Sequence, residues 1–437
     1  MNAAAPTAAA KGQGPALLIV ADDLTGAADC GVACVTRGLD AVVLLVPDPQ
    51  VEAADVLAID ADTRSLSALA AAEKTTRLLS AFSHLKDCLV FKKIDSTLRG
   101  NFGVELAATL LARREMASHC IAVLAPAFPA LGRTTIGGRH LLWGRPLEET
   151  EPWQAEGRTG RAYLPDLLLD AGLRAELLPL ELLRQGGDAP LMAMKRLAGR
   201  CDVIVCDAET DDDLATLAKV SFELGRETIW VGSAGLVGPV VDAAGLKRAR
   251  PGHAFDGATG AQVFVVGSRS TVSRRQASVL AALDDVEVVD VDPTSSAADL
   301  DKVDFRGRFS AAIETGKTVL VWQAGERPPV ETASSRQCDA LAAQIAEQKN
   351  RIGGLFATGG ETARSLLEAL DVRALRLVDE VEPGVALSVD AGGRGLAVIT
   401  KAGAFGDDAT MTACRAIFSG GARAPRDGAT HQRRIGV

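Results

Sequence analysis

The sequence predicts an α/β fold of two domains, each with a largely parallel sheet flanked by helices. Three observations carry this. Apolar runs of strand length recur along the chain, with helix-length segments between them. Several of these runs are apolar at consecutive positions, as expected for parallel strands covered on both faces. The chain has 437 residues, and the stretch KRARPGHAFDGATGA at 247–261 is rich in Gly, Pro and charge and lacks periodicity, which places a boundary there.

Residues 1–14 are Ala-rich but lack a charged start and a Leu/Val-rich centre, so they read as a disordered tail and not as a signal peptide. The first domain runs over 15–247. Its strand candidates are 16–21, 41–46, 56–60, 88–92, 121–125, 203–207 and 228–232. Within it, 126–160 is poor in strand signals and rich in Gly and Pro, and is expected to form a long loop; such loops in compact domains often carry function. The second domain runs over 262–421, with strand candidates 262–267, 286–291, 318–322, 354–358 and 396–400. Helices at 213–224, 331–348 and 361–370 carry apolar residues at i, i+3 and i+4. Residues 422–437 read as a second tail.

The formal net charge is −9, which argues against a general nucleic-acid surface while leaving room for a local basic pocket. The apolar runs fall far short of the roughly 18 residues a membrane span needs. Eight cysteines without a C-x-x-C read as reduced core residues of a cytoplasmic protein. Five histidines make a His/Cys zinc site improbable.

The usual nucleotide signatures are missing. TGKT at 315–318 has Ala311 where a P-loop needs Gly, and it precedes a strand, so it reads as a helix C-cap. No G-x-G-x-x-G follows a strand. Two other stretches have the ingredients of a phosphate cradle. In LFATGGETAR at 355–364 a strand ends at Thr358, Gly359 and Gly360 follow, and a helix begins near Glu361. In ITKAGAFGDD at 399–408 a strand end is followed by Lys401 and two glycines. Glycines let backbone approach an anion, and helix N-termini offer free N–H groups. VVGSRS at 265–270 is a third, weaker junction, where Ser268 as a helix cap is the plainer reading. An anion role for these turns stands against ordinary strand-to-helix connections.

In the first half, FKKIDSTLRGN at 91–101 crowds Lys, Asp and Arg at a strand end, where α/β sheets bind ligands. Arg64 follows another strand. Cations there suit a carboxylate or phosphate; a solvated charge cluster is the alternative. Asp22 and Asp23 follow the first strand. Adjacent carboxylates can bind polyol hydroxyls, hold a divalent ion or accept a proton from an attacking hydroxyl. Capping the next helix would explain one of them, but hardly both.

Seven stretches in order, ADDLTGAAD at 21–29, KKIDSTLRGN at 92–101, PAFPALGRTTIGG at 126–138, GSAGL at 232–236, VVGSRS at 265–270, TGGETA at 358–363 and KAGAFGD at 401–407, resemble the four-carbon acid sugar kinase family. The resemblance spans about 16–420. It implies a kinase that uses ATP and Mg2+, with a sugar-acid-binding first domain, an ATP-binding second domain and a 4-phosphate product. It implies substrate contacts at Asp22, Asp23, Arg64, Lys92, Lys93, Ile94 and Asp95. It implies ATP contacts at Ser268, Thr358, Gly359, Gly360, Glu361, Thr362, Lys401 and Gly403. Asp22 is the expected base, and Arg64 with Lys92 or Lys93 the expected partner of the substrate carboxylate. No Mg2+ ligand can be named. Family substrates include D-threonate, D-erythronate and 3-oxo-tetronate. Leu24 stands where many 3-oxo-tetronate kinases have Phe, and the reading leans to D-threonate. The expected partners are the sugar acid and ATP, with no nucleic acid or membrane; whether the chain forms a homo-oligomer is left open. Two readings from other classes are a dehydrogenase with an unusual nucleotide loop and a noncatalytic sugar-acid or nucleotide sensor. The first lacks its fingerprint, and the second needs no phosphate cradle.

Overall fold

A computed structural model describes residues 14–48, 54–116, 119–248, 255–268, 270–292, 295–323, 338–403 and 405–421. The two expected tails, apart from Gly14 in the first, lie outside these residues. So do the centre of the expected boundary and the start of the helix expected at 331–348.

Every expected strand segment forms a strand, with ends shifted by two residues at most. The first, Leu17–Ala21, is fully buried between two parallel neighbours, Val56–Asp60 and Leu89–Lys93. Each such Val, Leu or Ile side chain contributes about 1.5–3 kcal/mol of transfer free energy when buried. Beyond Leu89–Lys93 follow Thr228–Gly232, Ile121–Ala125, Val203–Cys206 and an edge strand, Ala175–Leu178, that carries no strong sequence signal. Ala41–Leu44 lies on the other side of Val56–Asp60. All these pairings are parallel. In the second half, Val286–Asp290, Thr318–Trp322, Ala261–Val266, Ile352–Thr358 and Ala397–Lys401 lie side by side in that order, again parallel.

The two parallel sets are not separate sheets. A hairpin that the apolar pattern does not disclose, Ala374–Glu382 and Val385–Asp390, joins them into one 15-stranded sheet among the described residues. Three antiparallel pairings in succession reverse the strand direction between the halves. The hairpin carries register breaks at Leu377/Asp379 and Glu380/Glu382, and bulges of this kind increase local twist. One apolar cluster runs through both halves, from Leu17 and Ile19 to Val263 and Leu366.

The region 126–160 departs from its expected loop. It holds a small antiparallel sheet of Arg133–Ile136, Arg139–Leu142 and Arg145–Pro146. Short, polar, glycine-bounded strands give no run long enough to read. All eight cysteines are free and buried. Among the described residues no helix is long and apolar enough to cross a membrane.

Candidate active site

The helix Leu24–Val35 follows Leu17–Ala21 and packs on one face of the sheet, while Phe102–Arg114 follows Leu89–Lys93 and packs on the other. Helices that follow neighbouring strands and leave on opposite faces open a crevice at the strand ends between them. Asp22, Asp23, Arg64, Lys93 and Asp95 meet there.

Arg64 grips both members of the acidic pair. Its Nε donates to Asp22 Oδ2 at 2.7 Å and its Nη2 to Asp22 Oδ1 at 3.0 Å. Nη1 and Nη2 donate to the two Asp23 carboxylate oxygens, each at 2.8 Å. Asp95 Oδ1 lies 3.6 Å from Arg64 Nη2 and also takes Arg99 Nη2 at 2.7 Å. The pair divides its labour as the sequence hinted. Asp23 is the helix cap, accepting from Gly26 N at 2.9 Å and from the Thr25 hydroxyl. Asp22 makes no cap bond, and its backbone carbonyl instead accepts from Thr63 N and Arg64 N, which fixes the loop that carries Arg64.

Electrostatics keep Asp23, Asp95 and Lys93 charged. Burial would raise the Asp23 pKa, but Arg64 and Lys93 beside it hold it below the usual carboxylate range. Burial likewise opposes Asp95, and Arg99 and Arg64 outweigh it, so Asp95 lies well below that range. Burial would lower Lys93, yet the carboxylates of Asp22 and Asp23 hold it above the ordinary lysine value.

Two expected substrate contacts fall elsewhere. Successive residues of a strand face opposite sides of a sheet, so Lys92 and Lys93 cannot share a site. Lys92 is fully buried on the other face, where its Nζ donates to Glu105 Oε2 at 2.7 Å. Ile94 buries its side chain in the same apolar cluster as Leu98 and Phe102.

The three glycine-bearing junctions of the second half come together because their strands are neighbours. Gly267 N donates to Thr358 O at 3.2 Å and Gly359 N to Lys401 O at 3.3 Å. The Ser270 and Ser273 hydroxyls both donate to Gly403 O, at 2.5 and 2.7 Å. Gly359 has φ 95°, a conformation costly for any residue with a Cβ. Thr358 is buried beside Ser273, and Thr362 is buried with its hydroxyl 3.3 Å from Cys338 Sγ. Ser268 does not cap the helix Thr271–Ala281; Ser270 does, and Ser268 instead packs against Gly403. Lys401 Nζ is caged by Ser273 Oγ and by the carbonyls of Ala402, Gly403 and Phe405 at 3.0–3.2 Å, so it shapes its own turn. Burial lowers its pKa to about 8.

The two halves meet at this point. Gly360, at the start of Gly360–Ala369, lies directly against Asp23. Glu361 turns toward Ser65 and Asp62 of the first half, and burial and Asp62 raise its pKa. Arg364, one turn further, forms an ion pair with Asp60 at 2.5 Å and donates to Leu45 O at 3.2 Å. Arg364 escaped the sequence reading because nothing in TGGETAR indicates a partner some 300 residues earlier. His140 escaped it too. Fully buried, it receives a bond from the Thr135 hydroxyl at 3.0 Å and donates from Nε2 to Ser96 O at 2.9 Å, tying the small sheet to the Asp95 loop. The carbonyl can only accept, so the proton sits on Nε2. Burial holds the His140 pKa down at about 4. A separate cavity of about 460 Å³, lined by Arg114, Arg174 and Arg200, lies at the opposite strand ends.

A family model described as a sugar-binding N-terminal domain matches residues 17–240, and one described as a nucleotide-binding C-terminal domain matches 263–411. The chain is 38% identical to a D-threonate kinase of Cupriavidus necator, over 90% of this chain and 96% of that protein. It is 34% identical to a D-threonate kinase of Bordetella bronchiseptica, over 92% and 98%. A D-erythronate kinase of Heliobacterium modesticaldum is 28% identical, over 91% and 96%. Among solved structures, one described as a putative tRNA synthase from Salmonella typhimurium LT2 superposes with a TM-score of 0.75 at 22% identity, over 95% of this chain and 99% of that one, which shows a shared fold.

Proposed function

Because the chain belongs to the four-carbon acid sugar kinase family, we propose that it moves the γ-phosphoryl group of ATP to the 4-hydroxyl of D-threonate. D-erythronate and 3-oxo-tetronate are the alternative substrates within the family. The contact between Gly360 and Asp23 carries this reading, because it sets a phosphate cradle against an acidic pair suited to a hydroxyl.

Phosphoryl transfer asks a protein mainly for positioning and charge stabilisation. Asp22 orients the 4-hydroxyl and accepts its proton, and Arg64 holds Asp22 and Asp23 in one orientation. Gly360 and Thr362 present backbone N–H groups to the ATP phosphates, with Ser268 and Gly403 on the other side. Lys401 acts by holding the 402–405 turn.

Among the described residues no cluster of three or more His, Cys, Asp or Glu side chains is placed to hold a metal. That fits Mg2+, which is commonly held by phosphate oxygens, waters and one or two carboxylates. Asp23 faces Gly360, but Arg64, Thr25 and Gly26 already bond both its oxygens, so the ion would be held chiefly by phosphate oxygens and waters. When bound, Mg2+ supplies neutralisation of phosphate charge.

The test is ADP release with Mg-ATP against D-threonate, L-threonate, D-erythronate and 3-oxo-tetronates. Turnover giving a 4-phosphate by mass supports the reading and names the substrate. No turnover and no ATP binding would overturn it.

A further inference from the structure

The helix Gly360–Ala369 belongs to the nucleotide side, yet one of its faces is fastened to the first half. Residues four apart share a helix face, so Arg364 lies one turn behind Gly360, the residue that meets Asp23. The Arg364 guanidinium reaches three points of the first half. Its Nη1 pairs with Asp60 Oδ2 at 2.5 Å, its Nη2 donates to Leu45 O at 3.2 Å, and its Nε lies 3.5 Å from Asp62 Oδ2. Within its own helix Nη2 also pairs with Glu368 at 2.8 Å, on the solvent side, where Glu368 is 51% exposed. All three nitrogens are turned to protein oxygens, so Arg364 acts through other residues and not on a substrate.

Asp60 serves both sides of this joint. It is buried at the end of Val56–Asp60, level with Ala21. While Oδ2 takes Arg364, Oδ1 accepts from Asp62 N at 2.9 Å and folds the loop that begins there. Asp62 is held at φ 47°, in the left-handed region that few residues other than glycine adopt. Immediately beyond it, Thr63 N and Arg64 N donate to Asp22 O. Arg364 is therefore tied to Arg64 through Asp60 and the loop it folds, and to Gly360 through one turn of helix. Asp62 and Asp23 repel a charge on Asp60, and Arg364 is the cation that offsets them. A short guanidinium–carboxylate bond is among the stronger and more directional contacts a protein can make.

We propose that Arg364 is a positioning residue for phosphoryl transfer, which sets the helix end that faces the ATP phosphates at a fixed distance from the acidic pair held by Arg64. This assignment rests on the sugar-acid kinase reading. It makes the arginine necessary for bringing the two ligands together and dispensable for binding either one.

The experiment uses the full chain and measures binding of ATP alone, binding of D-threonate alone, kcat and a thermal melt. Arg364→Gln is expected to lower kcat about 10²-fold, the scale of a small misplacement of reacting groups. Each separate affinity should stay within about threefold, since each half keeps its own contacts. Arg364→Lys should recover part of kcat, because an ammonium can meet Asp60 but lacks the planar fork that also reaches Leu45 O. Glu368→Gln, which removes only the exposed partner, should leave kcat within about twofold. A folded Arg364→Gln with kcat near wild type, or a loss accounted for by weaker binding of one ligand alone, would overturn the assignment. So would a lower melting temperature with kcat unchanged, the mark of a merely structural role. If Arg364→Gln does not fold, Asp60→Asn decides by the same measurements, because it leaves the arginine and its bond to Leu45 O in place. If wild-type protein turned over no sugar acid, the kinase reading itself would fall, which is a distinguishable result.

Discussion

A Cβ on Gly360 would lie 2.9 Å from Asp23 Oδ2, so the nucleotide-side helix and the acidic pair touch without room for a methyl group. Asp23 cannot easily yield, because Arg64, Thr25 and Gly26 hold both its oxygens. Gly360→Ala is therefore expected to separate the reacting groups. Misplacement on this scale costs about 10²-fold in rate. Steady-state kinetics beside a thermal melt check it: kcat should fall with the melting temperature nearly unchanged, and a wild-type kcat would show that the contact is not used in turnover.

Asp22→Asn should lower kcat by about 10²-fold or more, as for loss of a general base. A rise in KM with kcat intact would make Asp22 a binding residue only. Asp23→Asn separates the roles, because Asn still caps a helix well. It loses the charge that Arg64 and Lys93 hold, so its stability should fall by more than the loss of a cap alone, while its kcat falls less than that of Asp22→Asn, as read from paired melts and rates.

Lys92 and Glu105 form a fully buried ion pair beneath the site. Removing one partner leaves a buried charge and costs about 3–5 kcal/mol, whereas replacing both with apolar residues is often neutral. Lys92→Met alone should lower denaturant stability strongly, and Lys92→Met with Glu105→Leu should restore most of it. The KM for the sugar acid should stay within about twofold in the double variant. A large rise would return Lys92 to the substrate site.

His140 links stability to pH. Its folded pKa is about 4, below the ordinary value of 6.5, so the folded state binds fewer protons than the unfolded state in between. Its contribution is therefore complete above pH 6.5 and is lost as pH falls toward 4, by up to about 3 kcal/mol. Asp29 and Asp60, pushed up to about 7 by burial, act in the opposite direction over an overlapping range. The His140 part is thus read as a difference: unfolding free energy of wild type and His140→Gln should converge as pH falls from 6.5 to 4. A constant gap would show that His140 does not stay neutral.

The residues of the site were largely legible in the chain, whereas their partners were not. Asp22, Asp23, Arg64, Lys93 and Asp95 all sit at ends of apolar runs, and strand ends in parallel sheets are where ligands collect. The glycine turns at 358–360 and 401–403 were readable for the same reason. Lys92 and Ile94 were misplaced because a run such as LVFKKID shows where a strand ends but not which face each residue takes. His140 was passed over because its strand, Arg139–Leu142, is too short to stand out.

The sequence by itself determined the α/β class, the order of the strands along the chain and the chemistry available at their ends, since these follow from local periodicity and residue type. Only the tertiary structure decided that one hairpin welds the halves into a single sheet, that Arg64 is spent on Asp22 and Asp23, and that Gly360 meets Asp23. Those are pairings between residues 40 to more than 300 positions apart. They depend on twist, register and burial, which no local pattern records.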